Sequence, residues 1–285
     1  MTRFGVDFAY GWKPGLGASM AAEGVAAIGR YCPYQGDGGK GLTIEEVIDY
    51  HANGLEVFLF WEQEAAMHRG GFSRGKRDAE IAIANLRALG APDTVAIYPA
   101  VDFNPLASDW PLIRDYQRGF ISVAGIERTG IYGNYDVVEY AKQMGLAAYF
   151  CQCVAWSDGE LNPWRHIFQD VGPDVAGIHV DHLTIYGDEY GQWKGDQMGL
   201  SKEDMVALFG STERDANGNL LSVEERYGPA KARYDEAVAT GRSLLEQVGQ
   251  AGADLKAHTT NHGGAGGGIP KHTHEIASAV VGDPK

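Results

Sequence analysis

The sequence has no cluster of basic residues and a marked excess of acidic ones. Its 24 Lys and Arg residues stand against 38 Asp and Glu residues, which gives a formal net charge of -14 at pH 7. Proteins that bind nucleic acids or anionic membrane surfaces depend on clustered Lys and Arg side chains. The composition therefore predicts no nucleic-acid partner and favours neutral, polyhydroxylic ligands.

Cysteines and long apolar segments are also scarce. Cys32, Cys151 and Cys153 are odd in number, and the last two lie one residue apart in a strand-like run. This pattern indicates buried thiols, not a disulfide framework. The N-terminus enters a strand-like segment without an apolar signal sequence, and no stretch reaches the roughly 18 apolar residues of a membrane span. We therefore expect no signal peptide and no membrane insertion.

Short apolar segments alternate with helical patterns over the first two thirds of the chain. Strands are predicted near residues 4–7, 27–31, 55–61, 95–101, 128–132, 148–154, 166–169 and 177–181, and helices over 43–53, 74–89, 109–124 and 135–144. Strands that alternate with helices are typical of βα units around a parallel sheet. The sequence therefore predicts an α/β protein with a (β/α)8, TIM-like barrel over residues 1–195, in which the last two crossovers are short.

Four of the predicted strands end on an acidic residue. These residues are Asp7, Glu62, Asp102 and Asp181. The carboxyl ends of the strands form the active face of such a barrel, where carboxylates can act as acid and base or accept hydrogen bonds from hydroxyl groups. The alternative is a structural role, as a helix cap or in a pair with Arg30, Arg69 or Arg74.

The sequence changes character after residue 195. Residues 196–228 are predicted to be an acidic linker and residues 229–257 a helix. In this helix one set of residues recurs at alternating spacings of four and three. These are Tyr234, Val238, Gly241, Leu245, Val248, Gly252 and Leu255. A strict 3.5-residue period is typical of a left-handed coiled coil, whereas a helix on its own barrel drifts toward 3.6. Glycines within the helix each cost about 1 kcal/mol relative to Ala, so a single amphipathic helix packed on the barrel is the alternative to oligomerisation.

Residues 258–285 combine a Gly-rich linker with a His-x-His tip. His272 and His274 would project from one side of an extended strand, because side chains alternate along it. Three chains around a threefold axis would supply six imidazole nitrogens, which suits a transition metal. A trimer is therefore favoured, and the alternative is a solvated tail that binds no metal. The barrel itself is expected to need no cofactor.

Several motifs in the barrel occur in the order seen in a known family. They lie at residues 5–8, 54–62, 75–79, 89–92, 98–102, 130–133 and 177–181, with Gln169 before the last one. In this order and spacing the chain resembles the glycoside-hydrolase-like barrels of domain-of-unknown-function family 1906. These barrels are relatives of the family 25 lysozymes, which cut the glycan of peptidoglycan. The resemblance implies a bacterial cell-envelope glycan as the partner.

The resemblance also implies the kind of protein that carries the barrel and the place where it acts. Such domains occur in secreted actinobacterial proteins and in phage lysins and tail proteins. A barrel followed by a coiled coil, a Gly-rich linker and a His-x-His tip is similar to the C-terminal architecture of trimeric phage tail proteins. We therefore expect a virion protein of the minor tail or tail tip, which contacts other tail proteins and acts at the host cell surface. A free endolysin, or a receptor-binding or structural tail protein without catalysis, is the alternative.

The sequence departs from the family 25 pattern at the residue that donates the proton. That pattern has an Asp after the first strand, which Asp7 matches, and an Asp-x-Glu after the fourth, where this chain replaces the Glu with Asn104. A carboxamide cannot protonate a leaving oxygen as a carboxylic acid does. Glu62, desolvated behind an apolar run, is a replacement, with Asp102 or Asp181 as its partner. Otherwise the cleft only binds glycan.

Seven aromatic residues near the predicted strand ends are candidates for stacking on sugar rings. They are Tyr10, Trp12, Tyr31, Trp61, Tyr98, Tyr132 and Trp156. Trp and Tyr are also commonly buried with a polar atom at one end, so each has a core role as its alternative. Together with the acids, these residues predict a retaining or substrate-assisted glycosidase or a glycan-binding module on the same scaffold.

Overall fold

The computed structural model describes residues 2–195. Its strands are β1 (Arg3–Asp7), β2 (Ala27–Tyr31), β3 (Glu56–Trp61), β4 (Ile97–Pro99), β5 (Gly130–Gly133), β6 (Tyr149–Cys153), β7 (Ile167–Val171) and β8 (Asp181–Ile185). Its α-helices are α1 (Leu16–Ala22), α2 (Ile44–Ala52), α3 (Gly71–Ala88), α4 (Trp110–Ala124) and α5 (Tyr135–Met144). Short 3-10 helices at Met67–Gly70 and Ile126–Arg128 precede α3 and β5. All the predicted helices of this region are present, and α1 is a helix that was not predicted.

The strands form a nearly closed barrel. They are ordered β4-β3-β2-β1-β8-β7-β6-β5 in one sheet. Parallel bridges between Ile97 and Thr129, and between Ala100 and Tyr132, bring β4 and β5 together at the remaining gap. The α/β barrel predicted from the alternating segments is therefore confirmed.

The last strand differs from the predicted one. β8 begins where the predicted strand 177–181 was to end, and it pairs antiparallel with both β1 and β7. Nine residues separate β7 from β8, whereas a parallel crossover needs a dozen or more. The chain therefore turns back as a hairpin. Because β8 is antiparallel, its first residue, Asp181, lies opposite Asp7, the last residue of β1.

Local sequence signals set the helix ends near the barrel face. Thr43 and Glu46 form a capping box at the start of α2, which satisfies backbone N–H groups that the first helical turn leaves free. Gly54 then adopts the left-handed conformation, with φ 75°. Asn134 caps α5, since its side chain accepts a hydrogen bond from the Val137 N–H. These caps fix the positions at which the loops of the barrel face enter the helices.

Side chains alternate between the barrel interior and the surrounding helices. The interior cluster consists of Ala27, Phe58, Phe60, Ala96, Tyr98, Cys151, Ile167, Leu183, Ile185 and Tyr190. Their neighbours along the strands, such as Ile28 and Val57, pack in the layer between the barrel and the helices. Consequently the last inward-facing side chain at each strand end faces the open mouth of the barrel.

The segment after β8 closes the opposite, amino end of the barrel. Trp193 forms an antiparallel bridge with Val57, and the Tyr98 hydroxyl donates a hydrogen bond to the Tyr190 carbonyl. The Tyr190 hydroxyl in turn donates to Glu56 at 2.6 Å. The barrel is therefore filled at its base, and a ligand has access from the carboxyl ends of the strands.

Several predictions concern residues that lie outside the described part of the chain. These are the acidic linker 196–228, the helical segment 229–257, and the tail 258–285 with His272 and His274. Within residues 2–195, no helix has both the length and the apolar character that a bilayer span requires.

Candidate active site

A cleft of about 190 Å³ opens at the carboxyl ends of the strands. It is lined by Tyr31, Lys40, Phe60, Glu62, Ala100, Asp102, Tyr132, Gln169 and Asp181. These side chains come from most of the strands or from the loops that follow them, at the end of the barrel where the acids were predicted. Glu62, Asp102 and Asp181 are thus brought together in one cavity, and Asp7 lies next to it.

Asp7 lies behind the cleft lining and is only 1% exposed. Gln169 Nε2 donates a hydrogen bond to Asp7 Oδ2 at 2.8 Å, and Gln169 Oε1 accepts one from the Tyr132 hydroxyl at 2.6 Å. Burial raises the pKa of Asp7 to about 8, against the hydrogen bond from Gln169, and the charges of Asp181 and Glu62 raise it as well. Asp7 is therefore a neutral carboxylic acid at pH 7.

Asp181 shares the same amide with Asp7. Gln169 Nε2 lies 3.5 Å from Asp181 Oδ2. Contacts of 2.8 and 3.5 Å to one nitrogen keep the two carboxyl oxygens no more than about 6.3 Å apart. Burial raises the pKa of Asp181, two neighbouring histidines oppose the effect, and the charge of Asp102 adds to it. The cleft therefore contains a lining carboxyl group with a raised pKa, beside a second carboxyl group that is neutral.

Glu62 is held in an ion pair. Its Oε2 lies 3.1 Å from Lys40 Nζ, and both side chains are about one fifth exposed. The same ammonium group lies 3.8 Å from the centre of the Tyr31 ring, a distance typical of a cation–π contact. This pairing differs from the predicted environment of Glu62, in which desolvation alone would make the carboxyl group neutral.

Asp102 follows β4 and is partly buried in the cleft wall. Within residues 2–195 it forms neither a hydrogen bond nor an ion pair. The arginines proposed as structural partners bind other acids: Arg30 binds Glu46, Arg69 binds Asp109 and Arg74 binds Asp78. The alternative in which these arginines neutralise the cleft acids by direct pairing is therefore wrong.

Four of the seven predicted aromatic residues can be assigned directly. Tyr31 and Tyr132 line the cleft. Trp61 and Tyr98 are fully buried, so their predicted contact with sugar is wrong. Trp61 follows the inward-facing Phe60 and therefore points to the helical layer, while Tyr98 fills the barrel interior.

The other three aromatic residues lie outside the cleft lining. Trp12 is partly buried against the core, and its indole N–H donates to Asp49 Oδ2 at 3.3 Å, which indicates a structural role. Tyr10 is 60% exposed and Trp156 is 45% exposed. A contact of Tyr10 or Trp156 with substrate stays a prediction.

Sequence reasoning gave no role in the site to Lys40 and Gln169. Lys40 lies in the Gly-rich segment 36–41, and an isolated cation in such a loop is a weak signal. Gln169 occupies an inward-facing position of β7, two residues after the interior Ile167, so its direction could have been found by counting along the strand. Its hydrogen-bond partners lie 12, 37 and 162 residues away along the chain, and no local sequence pattern indicates them.

The described residues give little support to a cysteine nucleophile or to a metal site. Burial raises the pKa of the Cys32, Cys151 and Cys153 thiols, which disfavours the thiolate that a nucleophile requires. Within residues 2–195, no group of at least three His, Cys, Asp or Glu side chains is placed to hold a metal ion. The carboxyl groups are therefore the candidate reactive groups of this cleft.

Comparisons with known proteins place the chain in a family. The family described as "Rv2525c-like, glycoside hydrolase-like domain" matches residues 18–177. The chain is 31% identical over 202 residues to the Mycobacterium tuberculosis protein named "Putative peptidoglycan hydrolase Rv2525c", which covers 66% of this chain and 82% of the relative.

Solved structures agree with this match. The crystal structure of the Tat-secreted protein Rv2525c from Mycobacterium tuberculosis in complex with L-tartrate has a TM-score of 0.62 at 29% identity, and the match covers 67% of this chain and 98% of that one. An uncharacterized protein from B. stearothermophilus has a TM-score of 0.50 at 16% identity, over 65% of this chain and 96% of that one, and is similar in fold alone. The predicted resemblance to glycoside-hydrolase-like barrels is confirmed. The chain belongs to the family of Rv2525c-like, glycoside hydrolase-like domains.

Proposed function

We propose that the barrel binds and hydrolyses a glycan of the bacterial cell envelope, with peptidoglycan as the substrate. The observation that carries this proposal is the pairing, in one cleft, of Asp181 with its raised pKa and Asp102 without an ion-pair partner in residues 2–195. Glycoside hydrolysis commonly uses one carboxyl group as proton donor and a second one in its charged form. The name of the Mycobacterium tuberculosis relative supports peptidoglycan as the substrate.

Asp181 is the proton donor in this mechanism. Its raised pKa keeps a larger fraction of the carboxyl group protonated near neutral pH, and this proton can pass to the leaving oxygen. Glu62 is less suited to the role because Lys40 lies against its carboxylate. Asp181 thus supplies the acid that Asn104 cannot.

Asp102 is the charged partner. The transition state of glycoside hydrolysis is oxocarbenium-like, so positive charge develops on the sugar ring. A carboxylate in the cleft wall can stabilise this charge or attack the ring carbon. Because Asp102 has no cationic partner among the described residues, its charge is available to the substrate.

Asp7 acts through Gln169 and is a positioning residue. As a neutral group it adds no negative charge beside Asp181, and it accepts the hydrogen bond that orients the Gln169 amide. The Tyr132 hydroxyl holds the other end of the same amide. Gln169 Nε2 is thereby kept facing Asp181, which fixes the orientation of the proton donor.

The dimensions of the cleft limit what it can enclose. Its volume of about 190 Å³ is below the roughly 300–1,000 Å³ of sites that bury a drug-sized ligand. We assign it to a single sugar ring with its substituents, bordered by Tyr31 and Tyr132. The neighbouring sugars of a glycan strand would then lie on the surface around the cleft mouth.

The cellular setting is also a proposal. The solved Mycobacterium tuberculosis relative is described as Tat-secreted, which supports contact with an envelope glycan outside the cytoplasm for this chain. The prediction of a phage tail protein that trimerises and contacts other virion proteins depends on residues 229–285. These residues lie outside the described part of the chain, so the virion setting stays a prediction.

The test is hydrolysis of purified peptidoglycan by the full chain. Released reducing ends are measured for the wild type, Asp181→Asn and Asp102→Asn, with Asp136→Asn as the matched control because Asp136 is exposed on α5. The proposal expects release by the wild type and the control, and none by the two cleft variants. A wild type that sediments with peptidoglycan but releases no reducing ends would instead make this a glycan-binding module.

A further inference from the structure

Trp156 has a backbone conformation that large side chains rarely adopt. Its φ is 54°, in the left-handed region, where glycine is favoured and a bulky residue is an outlier. The indole is also 45% exposed, so burial in the core does not offset this strain. A large apolar side chain is thus presented to solvent at a position where glycine would be easier to accommodate.

The buried hydroxyl group of Ser157 holds the turn that carries Trp156. Ser157 is 3% exposed, and its Oγ donates to a backbone carbonyl of β6 at 2.7 Å. The same Oγ accepts hydrogen bonds from Gln152 Nε2 at 3.2 Å and from the Tyr135 N–H at 3.0 Å. A surface held this firmly loses little conformational entropy when a ligand binds.

Asn134 connects this turn to the cleft. It is fully buried, and its Nδ2 donates to the Trp156 carbonyl at 3.3 Å and to Asn104 Oδ1 at 3.2 Å. Asn104 in turn follows Asp102, a lining residue of the cleft, by two positions. Asn134 therefore joins the backbone of Trp156 to Asn104, which lies two positions after a residue of the cleft lining.

The side chain of Asn104 can form further hydrogen bonds. It is exposed, and its oxygen already accepts from Asn134, which leaves its amide N–H groups able to donate. Sugar rings combine an apolar face with hydroxyl groups at their edges. An exposed indole and an amide donor, on two residues that both accept a hydrogen bond from Asn134, match both features.

We infer that Trp156 and Asn104 form an outer sugar-binding subsite, which holds a ring of the glycan strand next to the ring in the cleft. The indole stacks on the apolar face of the sugar, and the Asn104 amide donates to a hydroxyl group. This inference rests on the proposed function, since it takes the same glycan as its ligand. It gives Asn104 a role in binding a long substrate, in the position where the related lysozymes carry an acid.

The test measures binding as a function of glycan length. Peptide-free sugars prepared from peptidoglycan, as a monosaccharide and as an octasaccharide, are titrated calorimetrically into the full chain carrying Asp102→Asn, which blocks hydrolysis. The variant Trp156→Gly is compared in this background with Trp156→Phe, which keeps an aromatic face. The inference expects Trp156→Gly to weaken octasaccharide binding by about tenfold, the effect of one lost aromatic contact, and to leave monosaccharide binding unchanged. Trp156→Phe should lose less.

A thermal melt separates binding from folding. Glycine suits the left-handed backbone of position 156, so Trp156→Gly should melt at the same temperature as its parent or higher. Octasaccharide affinity unchanged in Trp156→Gly would overturn the subsite and leave the proposed function standing. An equal loss for both ligands together with a lower melting temperature would also overturn it, as a structural role. A wild type that neither binds nor cleaves the glycan would overturn both proposals.

Discussion

The variant Asp7→Asn should become more stable relative to the wild type as the pH rises. The folded protein holds Asp7 protonated up to a pKa of about 8, whereas an Asp in an unfolded chain ionises near 3.9. Between these values unfolding releases a proton, so the free energy of unfolding of the wild type falls by about 1.4 kcal/mol per pH unit. The stability that this group contributes is fully present below the unfolded pKa and is lost as the pH rises through the folded pKa.

The structure sets the size of the effect. Asn has the shape of a protonated Asp, does not titrate, and can accept the hydrogen bond that Gln169 Nε2 donates to Asp7. The stability difference between Asp7→Asn and the wild type should therefore grow by about 4 kcal/mol between pH 5 and pH 8. The assay is denaturant unfolding of both proteins at each pH unit in that range.

The matched control for this experiment is Asp7→Ala. It also removes the titration but leaves the Gln169 donor without an acceptor, which costs about 1–3 kcal/mol at every pH. The difference between the Asn and Ala variants should therefore be independent of pH. A constant difference between Asp7→Asn and the wild type from pH 5 to pH 8 would refute the reasoning, because it would mean that Asp7 is ionised in the folded protein.

Three further predictions concern the cleft. Because burial raises the pKa of Asp181, hydrolysis should fall as the pH rises through that pKa. The alkaline limb of the kcat/KM profile should shift to higher pH in Gln169→Leu, because Gln169 Nε2 then no longer donates to the charged form of Asp181, and a shift to lower pH would contradict this. Gln169→Leu should also lower the free energy of unfolding by about 1–3 kcal/mol in urea titrations, since Asp7 loses its buried donor; an unchanged midpoint would contradict this. A double-mutant cycle between Lys40→Met and Glu62→Gln should give a coupling of about 0.2–1 kcal/mol, because the pair is partly exposed, and additive effects would mean that the ion pair is absent in solution.

Much of the fold could be predicted from hydrophobic periodicity. The main error of that prediction was the position and direction of the last strand. Short apolar runs located all but one of the strands, and helical patterns located the helices between them. The last strand was placed too early because residues 177–181 are apolar and end on an acid, whereas the positive φ values of Ala176 and Gly177 make a turn there. Asp181 reached the predicted face only because β8 runs antiparallel.

The acidic residues of the site were predicted from the sequence, but only some of the residues around them were. Carboxylates at strand ends converge because the barrel itself brings those ends together, so their grouping follows from topology. Trp61 was misplaced because the period-two alternation that puts Phe60 inside puts Trp61 outside, and this could have been counted from the sequence. Lys40 depends on a loop conformation, and the contacts of Gln169 depend on tertiary packing, which a single sequence does not encode in any local pattern.

The proton donor is the central claim, and Asp181→Asn tests it most directly. A general acid contributes about 10²–10⁴-fold to the rate when the leaving group needs a proton, and contributes little when the leaving group departs as a stable anion. Hydrolysis of peptidoglycan glycan and of an aryl glycoside of the same sugar is compared for the wild type and Asp181→Asn. The account predicts a loss of at least about 100-fold on the glycan with the aryl glycoside rate nearly unchanged. Glycan hydrolysis at the wild-type rate, or an equal loss on both substrates, would contradict it.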